Sequence, residues 1–184
     1  SAKLLEDLGF KVEQQKVPDA LVRKHGMRSV TNLVIREKFG TADGPTIALN
    51  AHGDVVPPGL GWSVDPYAAI EKGGAVYGRG AAVSKSDFAT YAFALRALKA
   101  KPEGLNGTVE IHLTYDEEAG GDIGPKWLLD QKLTRPDLVI CAGFSYSIVT
   151  AHNGCLHLEV SVHGKQAHPP MPEPGRRVHL SQPA

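Results

Sequence analysis

Between Thr46 and Ala142, strand-like and helix-like runs alternate, and that order narrows the possible folds more than any other feature of the sequence. Residues 46–50 form a short strand-like run. Residues 108–114 alternate Val109, Ile111 and Leu113 with polar residues, and 138–142 are continuously apolar. Between the first two strands, 88–100 are rich in Ala and Leu. Phe88, Tyr91, Leu95 and Leu98 give that stretch an apolar contribution, and Ser86 or Asp87 can cap it as a helix. A second helix is expected over 125–131, with Pro125 in its first turn and Trp127, Leu128 and Leu129 as its apolar residues. Strand, helix, strand, helix, strand predicts an α/β fold: a mostly parallel sheet flanked by helices.

The two ends read differently. Ala2, Leu4, Leu5 and Leu8 repeat at helical spacing with Gly9 as a stop, so the chain is expected to begin inside a helix. No signal-peptide pattern is visible in residues 1–8. From Gly154 onward, Leu156, Leu158, Val160 and Val162 alternate with His157, Glu159, Ser161 and His163, the period of a half-exposed strand. A second unit is expected to start there, giving 1–153 and 154–184, the latter too short to bury a core of its own. Residues 169–174 read as a proline-rich loop, and 176–184 show neither a clear period nor a cap, which reads as a truncated or altered end.

Composition removes several classes of function. The 184 residues carry 20 Lys+Arg against 20 Asp+Glu. With no basic excess to neutralise phosphates, neither a nucleic-acid nor an acidic-membrane partner is expected. No apolar run approaches the roughly 20 residues of a membrane span. Cys141 and Cys155 sit in apolar stretches, where reduced thiols pack as small hydrophobes, so a reducing, cytoplasmic setting is the expectation.

In open parallel sheets, functional groups gather beyond the carboxyl ends of the strands. The first strand runs into Ala51-His52-Gly53-Asp54, an imidazole and a carboxylate two residues apart. Such a pair suits a metal, with the neutral imidazole as ligand and the acid fixing its tautomer. The second strand runs into Asp116-Glu117-Glu118, three adjacent acids whose mutual repulsion a bound dication would relieve. One glutamate could then ligate while its neighbour serves as general base toward a water. Taken alone, His52 reads more readily as a structural histidine and the triplet as a solvated turn; the combination points to a metal site.

The segments Asn50-Ala51-His52-Gly53-Asp54-Val55-Val56-Pro57, Gly61-Trp62, Asp65-Pro66, Tyr77-Gly78-Arg79-Gly80-Ala81, Asp116-Glu117-Glu118 and Gly164-Lys165-Gln166-Ala167-His168 occur in that order. Together they resemble the two-zinc metallopeptidase family of acetylornithine deacetylase, succinyl-diaminopimelate desuccinylase, aminoacylase and glutamate carboxypeptidase. The resemblance implies a zinc-peptidase-like catalytic domain followed by the beginning of an α+β lid and dimerisation domain, with the sheet completed by sequence after the lid. By position, it makes His52 a zinc ligand, Asp54 the acid that orients it, Glu117 the general base and Glu118 the adjacent ligand. It makes His168 a lid histidine that reaches the partner subunit's active site in a homodimer. The implied activity is cleavage of an amide bond in a small peptide or N-acyl amino acid through a zinc-activated water, with Co2+ or Mn2+ as possible replacements for zinc.

The sequence departs from the family pattern at two expected acidic ligands. Val83 stands where the resemblance places the acid that bridges two metals, and Gly143 falls in the region of another. Valine offers no lone pair, so either Ser84 or Asp87 substitutes or the bridged pair does not form. These departures favour an alternative reading, a non-catalytic relative or an incomplete fragment.

Overall fold

The structure is a computed structural model that describes residues 1–143, 147–151, 154, 156, 158 and 160. The chain divides into two compact units, Ser1–Tyr146 and Ser147–Ala184. The described residues of the second unit contain no helix or strand. The strand expected near 156–162 falls partly, and Cys155, His168 and the chain end fall wholly, outside the described residues.

The first unit opens with α1 (Ala2–Asp7), β1 (Val12–Lys16), α2 (Asp19–Lys24) and β2 (Thr31–Phe39). Then come β3 (Thr46–His52), the short strands β4 (Ile70–Lys72) and β5 (Ala75–Tyr77), and α3 (Lys85–Ala100). It closes with β6 (Gly107–Thr114), a 3-10 turn at Glu117–Ala119, α4 (Pro125–Asp130) and β7 (Leu138–Cys141). The five-stranded sheet has the order β1-β2-β6-β3-β7. The three strands expected from the sequence are adjacent and parallel, with β3 between β6 and β7. Two further strands, β1 and β2, pair antiparallel and make the sheet mixed. The crossover helix starts at Lys85 rather than at 88, with Ser84 at its N-cap position, so neither Ser86 nor Asp87 is the cap.

Side chains alternate across a strand, and β6 uses both faces. Ile111 and Leu113 pack with Leu33 and Ile35 of β2 and with Tyr91, Ala92 and Leu95 of α3. Leu95 is fully buried, a burial that contributes about 1.5–3 kcal/mol. A smaller cluster joins Val17, Val22 and Val30 to Ile123, just before α4. Cys141 is exposed, against the expectation of a packed thiol, because among the described residues β7 has a sheet neighbour on one side only, β3. Its thiol is nevertheless partly covered, which pushes its pKa up.

The long connection from β3 to α3 carries a hairpin whose Gly73 and Gly74 both have positive φ, as a two-residue turn between twisted strands demands. The Arg79 and Trp62 side chains both donate to the Pro58 carbonyl, at 2.7 and 2.8 Å, and the guanidinium lies 5.4 Å from the indole centroid. The Arg79 backbone N–H donates to the Pro66 carbonyl. The motif residues of this loop therefore pin it together.

Candidate metal centre

Parallel pairing of β3 with β6 sets His52 opposite Thr114, so the chain leaves both strands at one sheet edge. Gly53 continues the contact by donating its N–H to the Thr114 carbonyl at 2.8 Å. Space, rather than a sharp turn, requires glycine there: a Cβ would fall 2.4 Å from the Tyr115 ring and 3.1 Å from Phe88. Residues 117 and 118 follow immediately in the 3-10 turn.

The Asp54 carboxylate organises the edge. One oxygen accepts the Glu117 N–H at 3.2 Å and the other the Glu118 N–H at 2.9 Å, which satisfies two unpaired donors at the start of the turn. The same carboxylate lies 3.4 Å from His52 Nδ1, which also faces the Asp54 carbonyl at 3.1 Å. With Nδ1 engaged by acceptors, the Nε2 lone pair is left to face Glu117, whose carboxylate is 3.8 Å away. Donor atoms of His52, Glu117 and Glu118 all lie within 4.8 Å of one another. Ligands on a tetrahedral zinc sit roughly 3.4 Å apart. The two exposed glutamates can close the difference by rotating, while the imidazole, only 11% exposed, stays fixed.

The residues considered as replacements for the missing bridging acid are occupied otherwise. Ser84 is buried; its hydroxyl accepts the His52 backbone N–H at 3.3 Å and donates to Asp87 at 3.2 Å. Asp87 lies in the first turn of α3 and is not part of the ligand cluster. Val83 is half-buried, and Gly143 is exposed beyond β7. Lys85 flanks the site: partial burial pulls its ammonium pKa down, and Asp54 opposes that shift. Asp116 is not part of the cluster and is buried, and burial pushes its carboxyl up while the Ile123 and Gly124 N–H groups oppose the rise. One imidazole and two carboxylates make a donor set suited to a single divalent ion such as zinc.

A family model described as Peptidase family M20/M25/M40 matches residues 48–175. The chain belongs to this peptidase family. Family membership agrees with the resemblance read from the ordered motifs. The succinyl-diaminopimelate desuccinylase of Sulfurimonas denitrificans is 35% identical over 156 residues, covering 80% of this chain and 41% of that protein. That of Wolinella succinogenes is 37% identical over 148 residues, covering 76% and 39%. Among solved structures, human carnosine dipeptidase 1 shares the fold with a TM-score of 0.60 at 23% identity, covering 79% of this chain and 32% of that one. The aminopeptidase PepT of Bacillus cereus superposes with a TM-score of 0.52 at 28% identity, covering 76% and 35%. The chain thus spans about 41% of the length of the first of these relatives.

Proposed function

We propose that the protein is a metal-dependent hydrolase that cleaves the amide bond of a small peptide or N-acyl amino acid. The observation that carries this reading is the convergence of His52, Glu117 and Glu118 on one point at the sheet edge, organised by Asp54. In this reading His52 Nε2 and the Glu118 carboxylate hold zinc. When bound, the ion would polarise the scissile carbonyl and make water a stronger acid. Asp54 keeps a proton on Nδ1 and presents Nε2 as a ligand. Glu117, exposed in side chain but held at its backbone N–H by Asp54, takes a proton from the attacking water and returns it to the leaving amine.

The proposal extends to the unit that follows. Residues 154–184 begin a lid and dimerisation domain, His168 enters the partner subunit's site in a homodimer, and the enzyme works in the cytoplasm. This part rests on the order of motifs through Gly164-Lys165-Gln166-Ala167-His168. A second reading, a non-catalytic relative, is favoured by Val83 and Gly143, which leave the centre without two acids.

The test is zinc content and hydrolysis measured on the full-length protein, with an N-succinyl amino acid as the first substrate because two relatives are named desuccinylases. Stoichiometric zinc with turnover is expected. Zinc binding without hydrolysis of any N-acyl amino acid or dipeptide would favour the non-catalytic reading.

A further inference from the structure

The six residues 117–122 are mostly exposed, yet they carry both glutamates of the centre. Asp54 holds the start of this loop through the Glu117 and Glu118 N–H groups. Its far end is held at one buried peptide, Ile123. Asn32 Nδ2, reaching across from β2, donates to the Ile123 carbonyl at 3.0 Å. The Asp116 carboxylate accepts the Ile123 N–H at 2.6 Å. The Asp116 carbonyl closes the loop on itself by accepting the Ala119 and Gly121 N–H groups. The fit is close: a Cβ on Gly124 would fall 1.9 Å from Asp116 Oδ1 and 3.1 Å from Thr114 Cβ.

Asn32 is an odd choice for stability alone. It is fully buried, and the Ile123 whose backbone it bonds packs its side chain against Val17, Val22 and Val30. Its Oδ1 has no hydrogen-bond partner among the described residues. An orphaned buried oxygen costs about 1–3 kcal/mol, and an apolar side chain here would transfer that cost to the Ile123 carbonyl rather than remove it. The amide earns its place through the one bond it makes to the loop. We propose that Asn32 and Asp116 are positioning residues that clamp the Ile123 peptide from both sides and thereby fix the Glu117–Glu118 pair for metal binding. The inference rests on the metal-site reading above and assigns that site its remote support.

The experiment measures zinc affinity by competition with a chromophoric chelator, the visible spectrum of the cobalt-substituted protein, and thermal stability, all on the full-length protein. Asn32→Leu exchanges the unpaired Asn32 Oδ1 for an unpaired Ile123 carbonyl and is expected to leave the melting temperature close to native. It should weaken zinc binding by about tenfold, the lower end for lost outer support, and shift the cobalt bands. Asp116→Ala should weaken zinc binding similarly, and Asp116→Asn, which keeps an oxygen for the Ile123 N–H, should stay within about threefold of native. Native zinc affinity and cobalt spectrum in both Asn32→Leu and Asp116→Ala overturn the clamp alone. An Asn32→Leu chain that fails to fold also overturns it, because the amide then serves the fold rather than the site. A native chain that takes up no zinc overturns the metal-site reading, and with it the clamp; the native arm alone shows that outcome.

Discussion

At the scale of single residues, the two adjacent glutamates reach the same point but are assigned different work, and substitution can separate them. Glu118→Gln weakens a charged ligand and is expected to lower zinc content and turnover together. Glu117→Gln is expected to leave zinc largely in place while lowering kcat by roughly 100- to 10,000-fold, the usual loss for a general base. Metal analysis beside steady-state kinetics checks both, and equal loss of metal in the two variants would make both residues ligands. That His52, Asp54, Glu117 and Glu118 lie together could be read from the sequence because each ends or follows a parallel strand of one sheet, where strand ends gather. The roles of Ser84 and Asn32 could not. Each acts by hydrogen bonding a backbone group 32 or 91 positions away, and no local pattern marks a hydroxyl or an amide for that task. Ser84 was visible only as a candidate ligand, whereas its hydroxyl is spent on the His52 N–H and Asp87.

At the scale of elements, β6 shows why an alternating strand can mislead. Its polar residues Glu110, His112 and Thr114 do not face water; all are at most 4% exposed. Glu110 is bonded to Arg36 Nε at 2.7 Å, to His112 Nε2 at 2.7 Å and to the Thr134 hydroxyl, and Arg36 also reaches Glu13 on β1. Burial alone would raise the Glu110 pKa, but the His112, Thr134 and Arg36 bonds hold it at about 2, against an ordinary 4.5. A carboxyl depressed on folding stabilises the native state fully above its unfolded pKa, and that contribution fades as pH falls from about 4.5 through about 2. Its size is on the order of 3 kcal/mol. Urea unfolding between pH 6 and pH 2 is expected to show this loss in the native protein and much less of it in Glu110→Gln; parallel curves for the two would remove Glu110 as the cause. The same polar network explains why β1 escaped the sequence. The edge strand β1 reads Val-Glu-Gln-Gln-Lys, with a single apolar residue, and forms because Arg36 of β2 ties Glu13 to Glu110 while backbone pairing supplies the rest. The parallel strands were legible because they alternate with helical segments along the chain, whereas β2, despite its Leu33-Val34-Ile35 run, stands outside that alternation.

At the scale of the whole molecule, the centre is a meeting of strand ends, so the number of ions it holds depends on what each end supplies. The end of β3 supplies His52, and the turn after β6 supplies Glu117 and Glu118. Among the described residues, the end of β7, parallel to both, supplies only Ala142 and Gly143, and the segment just before α3 supplies Val83 and an already engaged Ser84. A second ion would therefore face valine and glycine where it needs oxygen, and a divalent cation taken from water without replacement ligands is strongly disfavoured. These strand ends are therefore expected to hold no more than one zinc ion. Val83 precedes the serine that is bonded to the His52 backbone, so a carboxylate at 83 lies within reach of the same edge, and one at 143 extends from the neighbouring strand end. The double variant Val83→Asp/Gly143→Asp is accordingly expected to take up a second ion in a zinc titration, while either single change raises affinity less. If the double variant binds no more zinc than the native protein, the missing carboxylates do not set the metal count. The limit would then lie in the spacing of the strand ends themselves, which substitution at their tips leaves unchanged.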